Sequence, residues 1–170
     1  DPQVENFLKK AHFPHVTGYG LTETAPLICG AKPGHPVLGS TGKPSYGVSV
    51  RLDNVNPATG EGELVAKGPN VMLGYYKDYE RTRSVLDEDG WFHTGDLAKV
   101  DKKGRYSIMG RLQTVIIGAS GENIYPEEIE SVINNINEVS DSLVIERDGH
   151  LVALVQFNDN VFDWNLEGQD

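Results

Sequence analysis

The segment from Gly18 to Glu23, with the sequence GYGLTE, combines residue types that could contact a ligand. Two glycines flank an aromatic ring, and a hydroxyl and a carboxylate follow it. Because glycine lets a backbone approach a ligand closely, the segment offers a stacking surface beside a polar contact. Alone the pattern is weak, since a Gly-Tyr-Gly run is more often a tight turn, and Tyr19 could instead be a core residue.

A second segment, from Trp91 to Asp96 (WFHTGD), places a carboxylate at a turn, where it could accept hydrogen bonds from a pair of hydroxyls, as on a ribose. The alternative is an ordinary capping aspartate. Further along, Arg111 adds a permanently charged guanidinium, and a glycine-containing loop from Gly118 to Asn123 follows it. Three such sites in this order are hard to reach by chance.

The elements that must position these groups begin with a short helix, which is expected between residues 1 and 14 because apolar residues recur there at helical spacing. A β-rich subdomain is predicted next. Alternating segments such as Val48 to Leu52 and Glu63 to Lys67 are separated by turn signals and predict strands. The charged segment from Asp78 to Asp89 is predicted to be a surface helix that ends at Gly90 and serves only as scaffold.

The character of the sequence changes near Arg111, and a domain boundary is predicted there. A strand from Thr114 to Ile117 enters the glycine-containing loop, and a helix with Pro126 near its start is predicted to follow. Two further strands are joined by an Asp-Gly pair, which predicts a hairpin with a type I′ turn. The expected fold class is α+β, with a β-rich, barrel-like subdomain followed by a small α+β domain.

Composition argues against several classes of function. The formal net charge of −10 over 170 residues disfavours a nucleic-acid or anionic-membrane partner, which would need basic patches. No apolar run approaches the roughly 20 residues that span a bilayer, and no signal-peptide pattern opens the sequence, so a soluble protein is expected. Cys29, the single cysteine, is interpreted as a small buried apolar residue, and the lack of an internal disulfide favours a cytoplasmic setting.

In order and in rough spacing, these segments resemble the adenylate-forming superfamily of acyl-CoA synthetases, luciferases and nonribosomal peptide adenylation domains. The resemblance runs from about Val16 to Phe157 and includes the stretch from Gly62 to Tyr76. Within the superfamily, the segment from Ser120 to Pro126 (SGENIYP) looks most like the long-chain fatty acid–CoA ligases.

The resemblance implies an AMP-forming acid–thiol ligase of fatty acid metabolism that uses ATP, Mg²⁺ and CoA. A carboxylic acid, expected to be a fatty acid, attacks the α-phosphate of ATP to give acyl-AMP and pyrophosphate. The CoA thiol then attacks the acyl-AMP. Residues 1–110 would be the last part of the large N-terminal AMP-binding domain, and residues 111–170 the first part of the mobile C-terminal domain.

The resemblance also implies roles for single residues. Tyr19 would stack on adenine, while Gly18 and Gly20 would let the backbone close around the base. Thr22 would donate a hydrogen bond to the α-phosphate, and Glu23 would hold Mg²⁺, which prefers one or two carboxylates together with phosphate oxygens. For an isolated Thr-Glu pair, a solvated surface acid would be the better explanation.

In the same way, Asp96 would accept hydrogen bonds from both ribose hydroxyls, and Arg111 would contact the same sugar. Gln113 would occupy the hinge about which the C-terminal domain of the family swings, although the family usually has Asp or Lys at this position. The loop with Ser120 and Gly121 would line the CoA tunnel in the second conformation, where a larger side chain at Gly121 would obstruct the thiol arm. The alternative for this loop is a simple strand-to-helix turn.

Two catalytic parts of the family are missing from the sequence, namely the Ser/Thr/Gly-rich phosphate loop expected before Gly18 and the catalytic lysine near the family's C terminus. The chain is therefore interpreted as a fragment that makes no acyl-AMP and binds ATP weakly or not at all. The acyl pocket is expected to lie mostly in the missing portion.

One segment, Gly39 to Pro44 (GSTGKP), imitates the phosphate loop with its glycines and lysine. It follows the Gly-Tyr-Gly segment instead of preceding it, and a predicted strand comes next, so it is interpreted as a decoy. Tyr19, Glu23 and Asp96 are predicted to line one cleft, with Lys43 pointing elsewhere.

The sequence also allows other functions. The parent could belong to another branch of the superfamily, such as the aryl-CoA or acyl-carrier-protein ligases. In a different class, the chain would be a non-catalytic β-rich binding module whose ligase-like motifs are relics. The acidic composition predicts no nucleic-acid partner and leaves peripheral membrane contact of the parent open.

Overall fold

Short segments rich in apolar residues form many of the strands in the described part of the chain, and glycine-containing turns separate several of them. The computed structural model describes residues 2–118 and 121–158. The chain divides into two compact units, Asp1–Gln113 and Thr114–Asp170. Helices and antiparallel sheets occur in both units, which confirms the α+β class. None of the helices in the described ranges is both long enough and apolar enough to cross a bilayer.

The first unit is built on two antiparallel sheets, one of three strands in the order β1-β2-β3 and one of four strands in the order β4-β5-β6-β7. Both sheets are open within the described residues, so the barrel-like subdomain is not a closed barrel. The elements of this unit are α1 (Pro2–Lys10), β1 (Gly18–Gly20), a 3-10 helix (Thr22–Thr24), β2 (Leu27–Gly30), β3 (Lys43–Pro44), β4 (Ser49–Asp53), β5 (Gly62–Lys67), α2 (Tyr79–Val85), β6 (Phe92–Val100) and β7 (Tyr106–Arg111).

The hydrophobic core of the first unit brings strands of both sheets together. Cys29 is fully buried, which confirms its interpretation as a small core residue, and burial raises the pKa of its thiol to about 12. Removing such apolar surface from water is the main favourable term in folding. The buried cluster consists of Ile28, Cys29, Leu64, Ala66, Ala98 and Tyr106.

The charged surface helix is shorter than predicted. Asp78 accepts a hydrogen bond from the backbone amide of Arg81 and caps the start of α2, but the helix ends at Val85 and does not continue to Gly90. The reason is local, because Leu86 pairs with Phe92 in an isolated bridge and the Asp87 carboxylate accepts the amide of Trp91. These contacts fold residues 87–90 into a turn that leads into β6.

The second unit contains a two-stranded ladder, one helix and a hairpin. Its elements are β8 (Ile116–Ile117), β9 (Asn123–Ile124), α3 (Pro126–Ile133), β10 (Val139–Arg147) and β11 (His150–Phe157). Asp148 and Gly149 join the hairpin strands and both have positive φ, as the predicted type I′ turn requires. The Glu130 carboxylate accepts the amide of Val144 at 2.7 Å and so ties α3 to β10.

Candidate active site

Three residues predicted to contact a nucleotide lie together in the first unit. The hydroxyl of Tyr19, in β1, donates to Oδ2 of Asp96, in β6, over 2.5 Å. The other carboxylate oxygen of Asp96, Oδ1, lies 3.0 Å from Nε of Arg111 at the end of β7. Asp96 and Arg111 are also register partners in the sheet. The structure thus joins an aromatic ring, a carboxylate and a guanidinium that are separated by up to 92 positions in the sequence.

A register shift between β5 and β6 directs Asp96 toward Tyr19. Gly95 has a φ of 71°, a left-handed conformation that glycine adopts without steric cost. The Thr94 hydroxyl donates to the carbonyl of Leu64 and accepts the amide of Asp96, so the backbone is fixed on both sides of this glycine.

A second carboxylate supports the same turn. Glu63 accepts the amide of Gly95 through Oε1 at 3.1 Å and contacts Nδ1 of His93 through Oε2 at 2.9 Å. Nε2 of His93 lies 3.9 Å from Asp87. Glu63 therefore links the stretch around Gly62 to the WFHTGD segment by hydrogen bonds, although the two are separate in the sequence. These bonds support the turn that carries Asp96.

Burial dominates the electrostatics of this group. Asp96 is 5% exposed, and its pKa is raised by burial and by the nearby charge of Glu63, while the Tyr19 hydrogen bond and the Arg111 charge act in the opposite direction. Burial and the hydrogen bond to Asp96 raise the pKa of Tyr19, so its hydroxyl remains a donor at neutral pH. Arg111 is half exposed and also donates to the carbonyl of Thr94 at 3.3 Å.

The GYGLTE segment itself is shaped by close packing. A Cβ at Gly20 would lie 1.6 Å from the carbonyl oxygen of Pro26, and one at Gly18 would lie 2.9 Å from a Leu27 methyl carbon. Gly20 is therefore required by the β1–β2 pairing, whether or not a ligand approaches it, whereas the contact at Gly18 is with the end of a flexible side chain that can shift. Thr22 is exposed at the start of the 3-10 helix, where its hydroxyl can meet a ligand.

Glu23 belongs to a different hydrogen-bonded group from Tyr19 and Asp96. Its Oε1 accepts the hydroxyl of Tyr75 at 2.9 Å, and its backbone carbonyl accepts the amide of Met72 at 2.8 Å. Oε2 of Glu23 accepts no hydrogen bond from the described residues. That oxygen suits a hard cation that arrives with phosphate oxygens. No group of three or more acidic, histidine or cysteine side chains that could hold a metal ion by itself occurs in the described ranges.

Backbone amides of the GSTGKP segment donate hydrogen bonds within the protein. The amide of Thr41 donates to the carbonyl of Tyr106 at 2.9 Å, and the amide of Gly42 donates to the Ser40 hydroxyl at 3.1 Å. A phosphate loop would present such amides to its ligand. Lys43 lies in β3 and lines a cavity of about 410 Å³ that also involves Lys32 and Arg105 among its lining residues. Tyr19, Glu23 and Asp96 do not line this cavity.

The remaining predicted positions lie at or beyond the division between the units. Gln113 is exposed and is the last residue of the first unit. Gly121 has a φ of 84° in the loop between β8 and β9, and its amide donates to the carbonyl of Gly118. Ser120 lies outside the described residues. The hinge and the CoA loop stay predictions.

Several supporting residues were not identified from the sequence alone. Thr24 is fully buried, and its hydroxyl accepts the amide of Leu21 and lies within hydrogen-bond distance of the carbonyls of Leu21 and Pro26. Glu63 and Tyr75 both lie in the stretch from Gly62 to Tyr76, so the resemblance marked their segment without indicating what their side chains contact.

Comparisons with known proteins identify the family of the chain. A family model described as AMP-binding enzyme matches residues 1–76. A 2-succinylbenzoate–CoA ligase of Bacillus cytotoxicus is 41% identical over 150 residues, which are 85% of this chain and 30% of that ligase. The chain belongs to the AMP-binding enzyme family. The predicted membership of the acyl-CoA synthetase superfamily is thereby confirmed.

The peroxisomal long chain acyl-CoA synthetase 6 of Arabidopsis thaliana is also similar to the chain. It is 36% identical over 171 residues, which are 94% of this chain and 24% of that protein.

Solved structures give the same result for this AMP-binding family member. The o-succinylbenzoate CoA synthetase of Bacillus subtilis with its acyl-adenylate intermediate superimposes with a TM-score of 0.81 at 31% identity, covering 95% of this chain and 35% of that one. The same synthetase with ATP and a magnesium ion gives a TM-score of 0.74 at 32% identity, covering 89% of this chain and 33% of that one. The chain spans about a quarter to a third of the length of these relatives.

Proposed function

We propose that the chain is part of an ATP-dependent acid–CoA ligase and contributes the contacts to adenine, ribose and Mg²⁺. The observation that carries the proposal is the hydrogen-bonded group of Tyr19, Asp96 and Arg111, which come from three strands of one unit. An aromatic face suits a base, and a carboxylate beside a guanidinium suits the hydroxyls of a sugar.

In the proposed first step, a carboxylate oxygen of the acid attacks the α-phosphorus of ATP. The new oxygen–phosphorus bond forms as the bond between the α-phosphorus and the bridging oxygen breaks, and pyrophosphate leaves with that oxygen. Tyr19 would hold the base, Asp96 and Arg111 would orient the ribose, and the exposed hydroxyl of Thr22 would donate to an α-phosphate oxygen. When bound through Glu23 and phosphate oxygens, Mg²⁺ would offset the negative charge of the reacting phosphates.

In the second step, the sulfur of CoA forms a bond with the acyl carbon as the bond between that carbon and the phosphate oxygen breaks. AMP leaves with the electrons of that bond, and the thiol proton is released to solvent. The loop with Ser120 and Gly121 would lie on the CoA side of the site. Gln113 would serve as the hinge between the two half-reactions. The positive φ of Gly121 is compatible with a glycine that is needed for its backbone conformation.

For the acyl substrate we propose a long-chain fatty acid. The similarity of the SGENIYP segment to long-chain ligases supports this choice, as does the long chain acyl-CoA synthetase that aligns with 94% of the chain. An aryl acid is the second candidate, because the 2-succinylbenzoate–CoA ligase has the higher identity of 41%.

The test is acid-dependent exchange of labelled pyrophosphate into ATP by the full-length protein that contains this sequence. Exchange should require Mg²⁺ and should be faster with long-chain fatty acids than with 2-succinylbenzoate. Asp96→Asn should lower kcat/KM roughly 10- to 100-fold, because a hydrogen bond to a charged group contributes about 1.5–3 kcal/mol. Lys43→Ala is the matched control and should change little.

The possible results separate three questions: the acyl substrate, the ligase activity and the interpretation of the chain as a fragment. Exchange with aryl acids alone would refute the fatty-acid assignment and keep the ligase. No exchange with any acid would refute the ligase and favour a non-catalytic binding module. The 170-residue chain alone is expected to show no exchange, and detectable exchange would refute its interpretation as a fragment.

A further inference from the structure

We propose that Tyr75 is a positioning residue for Glu23, and that helix α2 fixes Tyr75 for this purpose. The inference rests on the proposed function, in which Glu23 holds Mg²⁺. Its first observation is the hydrogen bond of 2.9 Å from the Tyr75 hydroxyl to Oε1 of Glu23, two residues that are 52 positions apart. One carboxylate oxygen is thereby held at a defined point, and the other is left to face a cation.

The segment that carries Tyr75 is anchored to the 3-10 helix and to the start of β2 at several further points. The amide of Met72 donates to the carbonyl of Glu23 at 2.8 Å. The side-chain amide of Asn70 donates to the carbonyls of Thr24 and Leu27, at 2.9 and 3.0 Å. The segment with Met72 and Tyr75 therefore binds both the backbone and the side chain of Glu23. These contacts together fix the direction of the Glu23 carboxylate.

Helix α2 holds Tyr75 from the other side. The amide of Tyr75 donates to the Thr82 hydroxyl at 2.9 Å, and that hydroxyl donates in turn to the carbonyl of Asp78 at 2.7 Å. The guanidinium of Arg81 lies 4.4 Å above the centre of the Tyr75 ring. A Cβ at Gly74 would lie 2.7 Å from a carbon of Thr82, so the two segments pack without room for a side chain there.

The chemistry of the pair agrees with a permanent donor and acceptor. The Tyr75 hydroxyl donates to a carboxylate oxygen, and an ionised carboxylate only accepts hydrogen bonds, so the donor and acceptor roles are fixed. Side chains that orient a metal ligand by hydrogen bonding typically change metal affinity or activity by roughly 10- to 100-fold when they are removed. The helix that the sequence suggested to be only scaffold thus acquires a functional role.

The adjacent tyrosine provides a matched control. Tyr76 is 88% exposed and has no contact with Glu23 among the described contacts, whereas Tyr75 is half buried. Tyr75→Phe and Tyr76→Phe each remove one hydroxyl and keep the ring. Tyr75→Phe also preserves the ring that Arg81 covers, so the fold is expected to survive.

The first measurement needs no catalysis. In the 170-residue chain, NMR coupling constants should give one dominant rotamer for Glu23 in the wild type and in Tyr76→Phe, and averaged rotamers in Tyr75→Phe. A single unchanged rotamer in Tyr75→Phe would overturn the proposal, even if the parent proves to be an active ligase.

The second measurement uses pyrophosphate exchange by the full-length protein over a range of Mg²⁺ concentrations. Tyr75→Phe should raise the Mg²⁺ concentration for half-maximal exchange roughly 10-fold or more, whereas Tyr76→Phe should leave it unchanged. A merely structural role would lower the rate equally at all Mg²⁺ concentrations, and that result would overturn the proposal. Lack of exchange by the wild type would instead refute the proposed function, and the rotamer measurement would still decide whether Tyr75 orients Glu23.

Discussion

Tyr19→Phe removes one hydroxyl from the buried group around Asp96 and keeps the aromatic ring. In the wild type the two oxygens are 2.5 Å apart and Asp96 is 5% exposed, so water cannot easily replace the lost donor. Arg111 still contacts the other carboxylate oxygen at 3.0 Å. Because a hydrogen bond to a charged group contributes about 1.5–3 kcal/mol, the free energy of unfolding at pH 7 should fall by about that amount.

The loss should depend on pH in a defined direction. Burial holds the pKa of Asp96 above its ordinary value of 3.8, and the Tyr19 hydrogen bond partly offsets this. Tyr19→Phe should therefore raise the pKa of Asp96 further. A carboxyl with a raised folded-state pKa stabilises the fold below pH 3.8 and loses that contribution as pH rises through the folded-state pKa. The difference between variant and wild type should thus be small in acid and should grow as the pH rises through the folded-state pKa of Asp96.

The assay combines urea unfolding at several pH values with NMR titration of the Asp96 side-chain carboxyl carbon. Tyr46→Phe serves as the control, because Tyr46 is fully exposed and its hydroxyl makes no described contact. A pKa of Asp96 that stays constant or falls in Tyr19→Phe would refute the reasoning, as would a loss of stability that is equal in acid and at neutral pH.

Three other changes test separate parts of the structure. Glu63→Gln removes a charge that raises the pKa of Asp96 in addition to burial, so the same titration should show a lower pKa, and a higher one would contradict the electrostatic assignment. Gly20→Ala should destabilise the first unit by at least about 1–3 kcal/mol in urea unfolding because of its 1.6 Å clash, whereas Gly30→Ala, with its nearest contact at 3.6 Å, should change little. In the full-length protein, Gln113→Pro should slow thioester formation more than acyl-AMP formation, and equal losses in the two half-reactions would remove Gln113 as the hinge.

Local sequence patterns predicted strands well where an apolar segment is followed directly by a turn. The prediction of Glu63 to Lys67 differs by one residue from the observed β5, because apolar alternation and the following glycine and proline are local signals. The predicted end of α2 was wrong. The helix stops early because Leu86 pairs with Phe92 and because the Asp87 carboxylate accepts a backbone amide in the turn that follows. Helical propensity alone does not predict that these bridge and turn contacts end the helix.

The site shows the same division between local and long-range information. The resemblance named Tyr19, Asp96 and Arg111 together, but periodicity could not have done so, because their contact depends on the pairing of β6 with β7 and on the shifted register of β6 against β5. The hydrogen bond from Tyr75 to Glu23 was not predicted for a related reason. It joins a loop to a 3-10 helix, and neither segment has a repeating pattern that fixes which side chains meet.

The contacts that stabilise Asp96 also constrain how a nucleotide can use it. An ionised carboxylate has about four acceptor sites, and Tyr19 and Arg111 occupy one on each oxygen, so two ribose hydroxyls could be accepted without breaking either bond. At 5% exposure, however, the carboxylate cannot be reached unless a neighbouring side chain moves. Arg111, with 53% of its side chain exposed, is the partner that can move at the lower cost, because water can solvate its guanidinium. We therefore expect nucleotide binding to displace Arg111 before Tyr19, and a crystal structure with bound AMP in which the Tyr19–Asp96 bond is broken would refute this order.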